Sequence, residues 1–109
     1  MIISEYQLKA LDTAIYPNKG NNVVYPTLGL VGEAGEIANK VKKIMRDNNG
    51  VITDEVKQKL SDELGDVLWY VAALSSELGL NMLTIAMQNL DKLHKRKTEG
   101  KLQGSGDNR

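Results

Sequence analysis

Leu30-Val31-Gly32-Glu33-Ala34-Gly35-Glu36-Ile37-Ala38-Asn39-Lys40-Val41-Lys42-Lys43-Ile44 is the stretch whose periodicity decides the fold. Turning a helix by about 100° per residue and setting Glu33 at zero, Leu30, Ile37, Val41 and Ile44 fall between roughly +20° and +80°. Glu36 falls at about −60°. One carboxylate therefore sits on the edge of an apolar stripe and a second lies one step further round. Residues 60–78 repeat the pattern. With Glu63 at zero, Leu60, Leu64, Val67, Val71, Leu74 and Leu78 lie between roughly +20° and +100°, and Asp66 at about −60°. Two helices of this kind joined by a short connection pack antiparallel. Their acidic edges then meet across one groove, where four carboxylates converge.

The rest of the chain extends the same all-α pattern. A first helix is predicted from a Ser4 cap to about Ile15, with Leu8, Leu11 and Ile15 on its buried face. Pro17 to Asn22 breaks it. The second helix is expected from Pro26-Thr27 to about Asp47, ended by Asn48-Asn49-Gly50. The third runs from about Asp54 to Leu78 behind Thr53 or Asp54, and stops at Gly79. Asn81 caps the fourth, whose Leu83, Met87, Leu90 and Leu93 form a stripe reaching about Lys97. The helical domain thus occupies residues 1–98, and residues 99–109, glycine-rich and polar, read as a tail.

Composition narrows the function. The chain has 109 residues, which supports one domain. It has no cysteine, hence no disulfide or thiolate site, and a reducing cytoplasmic setting is expected. With 14 basic and 14 acidic residues it exerts no net pull on polymeric nucleic acid or anionic membrane. Neither a signal peptide nor a membrane span is legible.

Carboxylates that border an apolar stripe need a positive partner, because a desolvated, unpaired charge costs several kcal/mol. Lys40 is one candidate and a metal ion the other; a single lysine does not balance four acids. Ligation by carboxylates alone suits Mg²⁺ or Mn²⁺, whereas zinc is disfavoured, since the one histidine, His94, lies in a basic run. Magnesium commonly binds with substrate phosphates, which points to phosphoryl chemistry. Lys40 and Lys43, further along the second helix, are placed to reach outer phosphates. Tyr70 projects at about −20°, between Glu63 and Asp66 on the helix wheel, and is expected to line the site. Trp69, Leu68, Ala72 and Ala73 leave the third helix apolar nearly all round. A homodimer in which third helices pack across a two-fold axis is expected from that excess.

At these residues the chain resembles the MazG-like all-α nucleoside triphosphate pyrophosphohydrolases. Their pattern of Glu-Glu-x-x-Glu followed by Glu-x-x-Asp is answered by Gly32-Glu33-Ala34-Gly35-Glu36 and Glu63-Leu64-Gly65-Asp66, with Gly32 where the leading glutamate often stands. The resemblance implies a four-helix fold that assembles with a second subunit, as a dimer or a dimer of dimers. It implies Mg²⁺-dependent cleavage of a (deoxy)nucleoside triphosphate to monophosphate and pyrophosphate. Glu33, Glu36, Glu63 and Asp66 would be the metal ligands, and Glu33 or Glu36 would orient the attacking water. Asn89, Lys92 and Arg96 are similar to a polar triplet of the family's last helix and would bind substrate. Two other readings are a non-catalytic nucleotide-binding regulator and a dimeric helical adaptor.

Overall fold

The computed structural model describes residues 1–100, which form four helices: α1 (Ile3–Asp12), α2 (Val24–Asp47), α3 (Asp54–Glu77) and α4 (Met82–Thr98). The segment expected as a tail lies, from residue 101 on, outside the described residues. Helices α2 and α3 pack antiparallel: Gly29 faces Tyr70, Lys40 pairs with Glu63, and Ile44 shares a groove with Val56.

Local signals set the boundaries. The Thr53 hydroxyl accepts the Val56 amide (3.2 Å) at the start of α3, and the Asn81 side chain accepts the Leu83 amide (2.8 Å) at the start of α4. The end of α2 turns through Asn49 and Gly50, both with positive φ, as the sequence predicts. At the end of α3, Gly79 takes φ +67°, and the Leu80 amide reaches back to the Ser75 carbonyl (2.8 Å). Helix α2 begins two residues before Pro26, because the Asn22 side chain accepts the Tyr25 amide and a proline in the first turn gives up no helical hydrogen bond. Ser4 is not the cap of α1; it lies within the first turn, after Ile2.

Helix α1 differs from the predicted pattern in its buried face. Gln7, Ala10 and Ala14 are buried, whereas Leu8 is exposed and Ile15, beyond the helix end, is 93% exposed. Small residues win this face because α1 lies close against α3, where Ala72 is 1% exposed and Ala73 is also buried. Gln7 is held by long-range hydrogen bonds: its amide donates to the Leu80 carbonyl (2.8 Å) and the Ser76 hydroxyl (3.2 Å), and its oxygen accepts the Met82 amide (2.8 Å). One side chain thus satisfies the α3–α4 turn. At the other end of α1, the Trp69 indole donates to Thr13 Oγ1 (2.7 Å). Trp69, Ala72 and Ala73 are therefore covered by α1 and its continuation, not left for a second subunit.

Glu77 closes the α1–α2 connection. Its carboxylate accepts the Tyr16 hydroxyl (2.5 Å) and the amides of Gly20 (2.8 Å) and Asn22 (3.0 Å). These bonds, led by Tyr16, hold the Glu77 carboxyl below its ordinary pKa; burial and the same contact push the Tyr16 phenol up to about 12.

Helix α4 bends away from α3 by 104° and packs mainly on α1. Its inward side is Met82, Ala86 and Leu93, while Leu83, Met87 and Leu90 of the predicted stripe are exposed. A second apolar surface is also uncovered. Leu28, Val31 and Met45 on α2 lie roughly 120–220° round from Glu33, and Leu64 and Leu68 on α3 about 100–140° round from Glu63, all exposed. They share the side of the α2–α3 layer opposite the acids. The radius of gyration, 16.8 Å, exceeds the roughly 13 Å of a compact chain of this length. Among the described residues no single helix is long and apolar enough to cross a membrane.

Candidate acidic centre

The predicted convergence of acids is real, with three members instead of four. Glu33 from α2 and Glu63 and Asp66 from α3 each offer a carboxylate oxygen within 4.8 Å of the others. Glu36 does not join them. It lies one turn beyond Glu33 and is exposed, and its charge is still near enough to raise the Glu33 pKa. Glu33 and Glu63 are half-buried and Asp66 is exposed, so the cluster lies at the rim of the seam, open to solvent on one side.

Like charges this close cannot all ionise freely. The hydrogen bond between the carboxyls of Glu33 and Glu63 raises the pKa of Glu33 most, followed by burial and the charges of Asp66, Glu63 and Glu36. Lys40 supplies compensation, its Nζ 3.5 Å from Glu63 Oε1. Lys40 is thus a positive partner of these acids, as the sequence predicts, and its partner lies across the seam on α3. At this exposure such a pair contributes under about 1 kcal/mol. The donor set is all oxygen, carries excess negative charge and is open on one side, which fits a hard divalent cation that keeps some of its waters.

Tyrosines flank the acids on the side of the α2 N-terminus. Tyr16 stacks on Tyr25 (centroids 4.7 Å apart, planes at 10°), Tyr25 meets Tyr70 at 6.4 Å, and Trp69 stands edge-on to Tyr70 at 5.0 Å. Burial raises the Tyr70 phenol first, then the nearby Tyr25 hydroxyl, then the charges of Glu33 and Asp66. Tyr70 therefore borders the acids, as its helical position predicts. Tyr6, on α1, was not singled out by sequence; its phenol is raised by burial and then by Asp66, which puts it at the same edge. Its scarcity as an aromatic was the available signal, with nothing local to tie it to a helix sixty residues away.

The remaining predicted residues divide. Lys43 lines a groove with Lys40, on the side of the acids away from the tyrosines. Asn89 faces an apolar groove of about 220 Å³ shared with Ile3, Leu68, Val71 and Met82, Lys92 is exposed, and Arg96 is half-buried on the same side of α4 as Asn89. The triplet is carried on α4, which bends off α3 and lies against α1.

Gly29 explains the seat of Tyr70. A Cβ built there would lie 2.1 Å from Tyr70 Cε1, so the ring occupies the space that only glycine leaves on α2. Gly29→Ala is expected to destabilise the protein by about 1–3 kcal/mol in chemical denaturation through overpacking. Tyr70→Leu in the same chain should recover part of that loss, whereas Tyr70→Phe, which keeps the ring, should not. Full stability of Gly29→Ala alone would contradict this packing.

Comparison with known proteins agrees with these motifs. The model of the MazG nucleotide pyrophosphohydrolase domain matches residues 26–100. The chain is 55% identical, over 114 residues covering 100% of both, to "Gene 37 protein" of Mycobacterium phage L5. No solved structure matches it.

Proposed function

Because the chain belongs to the MazG nucleotide pyrophosphohydrolase family, we propose that it hydrolyses a (deoxy)nucleoside triphosphate to the monophosphate and pyrophosphate with Mg²⁺, for which Mn²⁺ can substitute. The observation that carries this reading is the trio of Glu33, Glu63 and Asp66 within 4.8 Å, bordered by an aromatic wall. Those three residues would hold the cation, with Glu36 one turn away. Once bound, it supplies neutralisation of phosphate charge and eases deprotonation of water.

The chain's own residues do the rest. Tyr25, 42% exposed beside Tyr70, offers its ring to a nucleobase. Glu36, outside the trio and exposed, is free to orient the attacking water and accept its proton. Glu33 is the less suitable base, since its carboxyl is already engaged with Glu63.

We further propose that the protein is a homodimer. The exposed side of the α2–α3 layer, with Leu64 and Leu68 at its centre, receives the same side of a second copy, so that third helices meet across a two-fold axis. In that assembly Asn89, Lys92 and Arg96 of one subunit serve the acidic centre of the other.

Incubation with each triphosphate and Mg²⁺ should release monophosphate and pyrophosphate. Glu63→Ala should abolish product, and Glu36→Gln should lower kcat by roughly 10²-fold or more while metal binding persists. Tight triphosphate binding without product would instead indicate a regulator, and neither binding nor product an adaptor. Light scattering at micromolar concentration should give a dimer mass, and a monomer would refute the assembly.

A further inference from the structure

The α2–α3 seam continues past the acids. Towards the end of α2 it opens into a groove of about 300 Å³ lined by Lys40, Lys43, Ile44, Asn48, Val56 and Lys59. Relative to Glu33, Lys40 lies at about −20° and Lys43 at about −80°; relative to Glu63, Lys59 lies at about −40°. All three lysines are therefore on the acidic side of the layer. Lys40 belongs to both regions, lining the groove while its Nζ is 3.5 Å from Glu63. At the opposite end of the acids stand Tyr70 and Tyr25. The seam thus runs aromatic, acidic, basic.

We propose that the groove of Lys40, Lys43 and Lys59 binds the pyrophosphate portion of a nucleoside triphosphate and holds pyrophosphate as it leaves, an assignment that rests on the reaction proposed above. A base at the tyrosines and an α-phosphate at the acids leave the β- and γ-phosphates at the lysines. In the reaction, the water oxygen bonds to the α-phosphorus and the bond from that phosphorus to the α,β-bridging oxygen breaks. The bonding pair leaves with pyrophosphate, and the water proton passes to a carboxylate. Negative charge grows on the leaving group, where fixed cations stabilise it most. Ile44 and Val56 add apolar surface between the lysines.

A cation near a helix C-terminus is ordinary and would account for Lys43. Lys59 is different. It is the sixth residue of α3, in the N-terminal part of the helix, where the helix dipole opposes a positive charge. Its contact with Glu55 (3.3 Å) is an exposed i, i+4 pair, a weak interaction readily exchanged for phosphate.

Calorimetric titration of the full chain with pyrophosphate, and separately with nucleoside monophosphate, both with Mg²⁺, tests the assignment. The parent should bind pyrophosphate. Lys43→Met and Lys59→Met should each weaken that binding about five-fold, roughly the loss of one partly exposed charge contact, and leave monophosphate affinity unchanged. Lys59→Arg should retain it. Failure of the parent to bind pyrophosphate, unchanged affinity in both methionine variants, or an equal loss of monophosphate affinity would overturn it. Lysine-dependent pyrophosphate binding by a protein that releases no product from any triphosphate would support the groove and refute the reaction.

Discussion

Repulsion among carboxylates at the α2–α3 seam is the constraint around which the molecule is organised. Glu33, Glu63 and Asp66 are within 4.8 Å of one another, and the pKa of Glu33 is raised by its neighbours. Left alone, two helices carrying these charges would separate or rotate until water screened them. They are held by the apolar stripes beneath and by Lys40 across the seam. Neither removes the excess charge. A cation bound between these carboxylates would relieve that repulsion.

The surrounding contacts maintain the register that this tension opposes. Gln7 ties α1 to the α3–α4 turn, Glu77 gathers the loop before α2, and the Trp69 indole fixes the end of α1. Tyr70 lies in the space left by Gly29, which sets how closely α2 and α3 approach beside the acids. The buried core is small and rich in alanine, so these few polar clamps matter more than they would in a larger protein. They also keep the tyrosines, the carboxylates and the lysine groove in one line, an order that matches the parts of a nucleoside triphosphate.

Much of this was legible because α2 and α3 carry the same rotational signature. A carboxylate on the edge of an apolar stripe, repeated on two helices, predicted both the antiparallel pair and the meeting of Glu33 with Glu63. Capping residues and left-handed turns fixed most boundaries to within two residues. The position of Glu36 was not legible, since the projection gives an angle and says nothing of which side chains reach a common point. Periodicity also fails to say what an apolar stripe faces. Leu83, Met87 and Leu90 form a regular stripe and stay exposed, while α1 buries Gln7 and Ala10 where Leu8 and Leu11 were expected. Gln7 was hidden for another reason: its partners lie more than sixty residues away, so no local pattern marks a glutamine as interior. Trp69 misled in the opposite sense, because the surface it covers belongs to the same chain.

Thermal unfolding of the parent and of Glu33→Gln, each in chelator and in Mg²⁺ at neutral pH, tests the tension at the seam most directly. With its pKa raised, Glu33 destabilises the folded state once pH rises above its titration, so the neutral glutamine should unfold at a higher temperature than the parent in chelator. Added Mg²⁺ should raise the midpoint of the parent and leave Glu33→Gln nearly unmoved. Equal midpoints in chelator together with no response of the parent to Mg²⁺ would contradict the account.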